Sequence, residues 1–217
     1  MQTLTRMVMD DGAAGVMIAP PGSLRTDDQI VNYYAQAADF VGDVPWVLQD
    51  FPLATGVQMS VPVIARIVAA NPNCVCLKHE DWPGLEKITA LRKAGTLDRR
   101  ISILCGNGGV FLPEEMARGA DGAMTGFAYP EMMVGVVENH AGGNIGRARD
   151  LFDAYLPLAR FEQQPGLGLA VRKYVMAKRG IIADAALRRP GAALSAAGQA
   201  EVGLLIDRQE RRLKELG

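Results

Sequence analysis

PNCVCLKHEDWPG, residues 72–84, sets an apolar run, Cys74-Val75-Cys76-Leu77, directly before Lys78. Taking an ammonium out of water is costly, so a lysine seldom ends a buried strand without a reason. By strand alternation Cys74, Cys76 and Lys78 share one face, and Val75, Leu77 and His79 share the other. A lysine facing inward at the carboxyl end of a parallel strand stands where α/β folds keep their ligands. Apolar walls there favour the neutral amine, the form that attacks a carbonyl. The competing reading is an edge lysine that reaches water along its methylene stem. The strand alone weighs the two equally.

Outward from this stretch the chain repeats a strand-then-helix beat. Short β-rich segments bounded by Gly, Pro or Asp occur at residues 15–20 (GVMIAP), 44–50 (VPWVLQD), 74–78 (CVCLK), 101–106 (ISILCG) and 122–126 (GAMTG). Between them lie helical patterns. In DDQIVNYYAQAADFV, Ile30, Tyr33, Tyr34, Ala37 and Ala38 recur at helical spacing behind Thr26 as N-cap. In SVPVIARIVAAN, Ser60 caps a face of Val63, Ile64, Ile67 and Val68, and GLEKITALRKAG follows. PEEMARGAD opens on Pro113, Glu114 and Glu115, residues suited to a helix N-terminus. Repeated βα units with apolar strands mean a parallel sheet covered by helices. From about Asn144 the beat gives way to helices alone, broken by QQPG and RRPGAAL. The expected organisation is therefore a partial (β/α) barrel over residues 1–143 and a C-terminal helical subdomain over 144–217. Five strands are legible, whereas a closed (β/α)8 barrel needs eight.

Composition narrows the class. The chain is 49% hydrophobic and 22% charged, as in ordinary globular proteins. A net charge of −1 offers no electrostatic footprint for nucleic acid or an anionic membrane, so neither is an expected partner. The three cysteines all fall in apolar segments and are too few for a disulfide framework. The opening MQTLTRMVMDDG carries charge and has neither the apolar run nor the cleavage site of a signal peptide. Together these point to a cytoplasmic protein. Cys74 and Cys76 lack the C-x-x-C spacing of a zinc site, and the two histidines, His79 and His140, converge with no other ligand pattern. No metal or cofactor is expected.

Three motifs taken together carry a resemblance. VPWVLQDFPLATGV, then NPNCVCLKHED, then GNGGVFLPEEMARGADGAMTG resemble the class I (Schiff-base) aldolase superfamily of N-acetylneuraminate lyase and dihydrodipicolinate synthase. Pro52, Thr55 and Gly56 match that family's Tyr-Asn-x-Pro-x-x-Thr-Gly turn, and Lys78 matches its Schiff-base lysine. LRRPGAAL looks like its C-terminal arginine-proline motif. The resemblance implies a (β/α)8 TIM barrel followed by helices, a small-molecule 2-oxo acid substrate bound as an imine on Lys78, and a homo-oligomer, dimer or tetramer. It also implies that about three βα units, roughly 80 residues, of the family pattern precede the part matched here. Those units include the family's Thr-Thr carboxylate-binding motif.

The departures are informative. Gln49 stands where the family has its proton-shuttling tyrosine, and an amide cannot take and return a proton as a phenol can. Ala54 replaces the arginine with which the synthase holds its aldehyde substrate's carboxylate. Both losses argue against dihydrodipicolinate synthase activity. LQDFPLATGV with GAMTGFAYP is closer to the 2-keto-3-deoxy-L-arabonate dehydratase branch. The expected function is a Schiff-base lyase, dehydratase or aldolase, on a 2-oxo acid such as a 2-keto-3-deoxy sugar acid. The alternative is a catalytically inactive family member that acts only in an assembly. The candidate catalytic residues are Lys78, Gln49 and Glu80, the last as a general acid or base or else as a loop carboxylate in water. Thr55, Gly106, Asn107, Thr125 and Tyr129 are the candidate substrate-binding residues. Thr125 has a structural role as its competing reading, and Tyr129 a packing role. Asp50, of opposite parity to Gln49, is expected to cap the following turn. CGNGG fits neither G-x-G-x-x-G nor the Walker spacing, so it reads as a loop of close backbone approach rather than a phosphate cradle.

Overall fold

A computed structural model describes residues 1–82 and 84–217. It contains the five strands expected: β1 (Val16–Ile18), β2 (Trp46–Asp50), β3 (Cys74–His79), β4 (Ser102–Cys105) and β5 (Gly122–Ala123). They form one parallel sheet in the order β1-β2-β3-β4-β5, with β3 in the middle. The helices are α1 (Gln2–Asp10), α2 (Asp27–Val41), α3 (Pro52–Thr55), α4 (Val61–Ala70), α5 (Leu85–Arg92), α6 (Leu112–Ala117), α7 (Pro130–Ala141), α8 (Ile145–Glu162), α9 (Gly168–Lys178) and α10 (Ala196–Leu216). By packing the chain divides into two compact units, one of Met1–Cys105 with Ala117–Met124, the other of Gly106–Met116 with Thr125–Gly217.

The first unit is built on the sheet. Leu48, Leu77 and Ile103 stand in register across β2, β3 and β4 and are completely buried. Trp46 stacks on Tyr34 of α2 at 5.7 Å, the planes 4° apart. The apolar stripes of α4 (Val63, Ile64, Ile67, Val68) and α5 (Ile88, Leu91) are buried as well, which is what forces these amphipathic segments to lie against the sheet. Thr26 caps α2 as expected, in a reciprocal box with Gln29. Thr26→Ala is expected to cost about 1 kcal/mol. Urea unfolding followed by tryptophan fluorescence checks it, because Trp46 reports on α2 through Tyr34.

The expected alternation along β3 needs one correction. Trp46 pairs with Cys74, but the next residue, Val47, pairs with Cys76, so Val75 is an extra residue in the strand. Such a bulge resets the period of two. Cys74 therefore belongs with Trp46, while Cys76 and Lys78 belong with Val47 and Gln49. Val75, which alternation groups with buried Leu77, is 44% exposed.

In the second unit α8 packs against α7, α9 and α10. Phe152, Tyr155 and Leu158 of α8, Met132 and Val136 of α7, Val171 and Val175 of α9, and Val202 and Ile206 of α10 are buried. Helix α7 is not among the elements expected from sequence. Its Val-Gly-Val-Val run carries strand propensity, but Pro130 at the first turn and one buried apolar face hold it helical.

Candidate active site

Lys78 is the penultimate residue of the middle strand, beside Gln49, its partner in the parallel register. Its side chain is mostly buried, and its Nζ lies 3.1 Å from Oε2 of Glu80. The same oxygen accepts a 2.6 Å hydrogen bond from Nε2 of Gln49. Glu80 is itself buried, which removes the reading of a loop carboxylate in water. Its backbone N–H donates to the carbonyl of Asp50 at 2.8 Å, which carries the parallel ladder of β2 and β3 one residue past His79. One carboxylate thus takes an amide N–H and an ammonium on the same oxygen. Chemically it can take a proton from Nζ, and Gln49 can orient it without exchanging one.

On the opposite side of the strand ends lies a second charged cluster. Asp50 is completely buried and accepts from Nζ of Lys87 at 2.9 Å, and the same ammonium lies 2.7 Å from Asp81. His79, equally buried, faces Gly84 O through Nε2 at 3.1 Å, with Nδ1 3.6 Å from Asp50. The expected capping role of Asp50 is overturned: α3 has no side-chain cap, and the Asp50 carboxylate is engaged by Lys87 instead. The signal was present in Trp46-x-Leu48-x-Asp50, where a period of two puts the aspartate on the buried face and so demands a cation. Lys87 and Asp81 were not singled out, because a lysine in an amphipathic helix and a loop aspartate read as solvated charges.

Thr55 closes the turn after β2. Its hydroxyl donates to Phe51 O at 3.0 Å and accepts from Val57 N at 3.2 Å, while Gly56 takes φ +70°, a conformation that favours glycine. Lys78, Gln49, Glu80 and Thr55 all belong to the first unit.

Gly106, Asn107, Thr125 and Tyr129 belong to the second unit. Gly106 leads into a tight turn in which Asn107, Gly108 and Gly109 all have positive φ. Gly108 takes φ +67°, and a Cβ there would meet the Gln163 amide at 2.0 Å, so glycine is favoured. The Gly108 N–H donates to Thr125 Oγ1 at 2.7 Å, so the turn and Thr125 are brought together. Tyr129 packs against Tyr155 and Phe127 at 5.5 and 5.8 Å, under the Arg179 guanidinium 4.0 Å from its ring centre. Burial raises its phenol above the ordinary value even against the nearby Arg179, which makes it a poorer proton donor. Sequence reasoning also missed Glu162, fully buried on α8, which binds Arg172 and accepts from Ala128 N at 3.1 Å. Arg172 in turn donates to Gly126 O at 2.7 Å. Among the described residues no group of three His, Cys, Asp or Glu is arranged to hold a metal, and no helix is long and apolar enough to cross a membrane.

Parallel strands alternating with helices, with a lysine near the carboxyl end of the middle strand, define an unclosed sheet of the (β/α)8-barrel type. The chain belongs to the dihydrodipicolinate synthetase family, which it matches over residues 1–209. It is 30% identical over 183 residues to the L-2-keto-3-deoxyarabonate dehydratase of Azospirillum brasilense, covering 82% of this chain and 58% of that protein. It is also 30% identical over 159 residues to the 4-hydroxy-tetrahydrodipicolinate synthase of Methanosphaerula palustris, covering 72% and 53%. The chain therefore spans little more than half the length of these relatives. A crystal structure of dihydrodipicolinate synthase from Rhodopseudomonas palustris superposes with a TM-score of 0.92 at 57% identity, over 95% of this chain and 70% of that one.

Proposed function

We propose that this chain carries the imine-forming centre of a Schiff-base lyase acting on a 2-oxo acid, with a 2-keto-3-deoxy sugar acid as the favoured substrate class. One observation carries the reading: the Lys78 ammonium, at the carboxyl end of the middle strand, is held against a buried carboxylate, Glu80, that Gln49 orients. Glu80 takes the proton from Nζ, and the neutral amine attacks C2 of the oxo acid. Loss of water gives the imine. Protonated, the imine withdraws electrons in one of two ways: the C3 proton departs and the C4 hydroxyl then leaves as water, or the C3–C4 bond breaks as the C4 hydroxyl gives up its proton. Water then hydrolyses the imine and frees Lys78. Gln49 steers this proton traffic through Glu80, and a water is the further candidate carrier.

Dehydration is favoured over condensation with a carboxylated aldehyde because Ala54 offers no cation for such a substrate and Gln49 no phenol. The dehydratase relative supports the same direction. The synthase name borne by the structure at 57% identity supports the competing condensation. We further propose a cytoplasmic homo-oligomer, dimer or tetramer.

Borohydride trapping with pyruvate and with a 2-keto-3-deoxy sugar acid, read by peptide mass spectrometry, tests the reading. A reduced adduct on Lys78 is the expected result, with the sugar acid consumed as dehydrated product. An absence of adduct with every 2-oxo acid overturns it for this chain and leaves an inactive family member.

A further inference from the structure

Lys87 lies on the side of the strand ends away from Lys78, yet both of its carboxylate partners lead back to that amine. Its Nζ bridges Asp50, the last residue of β2, and Asp81, three residues beyond Lys78. The peptide between those anchors carries Glu80, whose N–H is fixed on the Asp50 carbonyl at 2.8 Å. His79, the residue between Lys78 and Glu80, is fixed in turn at Gly84 O, 3.1 Å away. Lysine 87 is only about one-eighth exposed and Asp50 is not exposed at all, so the bridge is buried and weakly screened. The bridge ties the Asp81 side of the Glu80 segment to the end of β2.

We propose that Lys87 is a positioning residue for the imine-forming centre: by bridging Asp50 and Asp81 it holds the Glu80 carboxylate against Nζ of Lys78. The inference rests on the reading of Lys78 as the Schiff-base lysine only for its functional meaning; the geometric claim stands on unit-one contacts. Lysine 87 touches no substrate in this scheme. Its influence passes through Glu80, so removing Lys87 and neutralising Glu80 must not have independent effects on Lys78.

The experiment reads the Lys78 amine directly. The full chain is labelled briefly with acetic anhydride in the absence of any oxo acid, and acetylation at Lys78 is compared with that at exposed Lys93 by peptide mass spectrometry. Methionine at 87 alone would strand the Asp50 carboxylate, so the principal variant is Asp50→Asn with Lys87→Met, which leaves the net charge unchanged. Labelling of Lys78 is expected to rise several-fold in this variant, as it does in Glu80→Gln, where the ion pair is lost directly. Combining all three changes is expected to add nothing to Glu80→Gln alone, and Lys87→Arg is expected to stay near the wild-type rate. Should the double variant lose its circular dichroism spectrum, Asp81→Asn removes one arm of the bridge and is expected to raise labelling to a smaller extent. A wild-type labelling rate in the folded double variant or in Asp81→Asn overturns the proposal, and so does an effect additive with Glu80→Gln. If labelling behaves as expected while no variant traps an oxo acid, the positioning role holds and the lyase reading fails.

Discussion

Replacement of Lys78 by arginine leaves a folded chain that traps no 2-oxo acid at all. Arginine keeps a cation opposite the buried Glu80 carboxylate. A guanidinium, however, stays protonated at every accessible pH and forms no imine. The variant thus separates the two duties of the position, which Lys78→Met would merge, since methionine removes the cation as well as the nucleophile. The expected result is complete loss of the borohydride-reduced adduct with an unchanged circular dichroism spectrum. Glu80→Gln is the complementary change. It frees the Lys78 amine but removes the group that relays protons as the carbinolamine loses water, and imine formation is expected to slow by about 10²-fold. An adduct elsewhere in the chain, or one that persists in Lys78→Arg, would mean that a different lysine is the nucleophile. Following the adduct by peptide mass spectrometry distinguishes these outcomes without any assumption about the natural substrate.

The strands were legible because each is a short apolar run closed by Gly, Pro or Asp, and strand chemistry of that kind depends on local residues. The pairing of Gln49 with Lys78 emerges only from the register of β2 against β3. The burial of Glu80 was not legible. It depends on the Glu80 N–H reaching back to Asp50 O, a contact between residues 30 apart that no local pattern encodes. The bulge at Val75 was hidden for a related reason: CVCLK reads equally well with or without an extra residue, and only pairing with β2 decides it. Helix α7 was missed because its valines favour a strand in isolation and a helix only when Met132, Met133 and Val136 find a buried face. Paired charges such as Glu162 and Arg172, ten residues apart in separate helices, look like solvated side chains until the fold is known.

That pair carries the second large effect. Arg172→Met is expected to destabilise the chain by about 3 kcal/mol at pH 8, because it takes the cation from a fully buried carboxylate and leaves it the Ala128 N–H. The Gly126 carbonyl loses its guanidinium at the same time. Burial pushes the Glu162 carboxyl above its ordinary value of 4.5, while Arg172 and the Ala128 N–H pull it back only in part. A carboxyl whose value is raised on folding binds more protons in the folded chain than in the unfolded one. Its contribution is therefore fully present below 4.5 and is lost as pH rises through the higher folded value. Removing Arg172 raises that folded value further, so the defect is largest in base and shrinks as the pH falls towards 5. Urea unfolding at pH 8 and pH 5 measures this. Far-UV circular dichroism is the suitable signal, because both tryptophans, Trp46 and Trp82, lie in the first unit and report on the sheet rather than on these helices. Glu162→Gln added to Arg172→Met removes the stranded charge and is expected to recover most of the loss. A defect of equal size at both pH values, or one that the second change fails to relieve, would mean that the guanidinium acts through Gly126 and its packing rather than through the Glu162 charge.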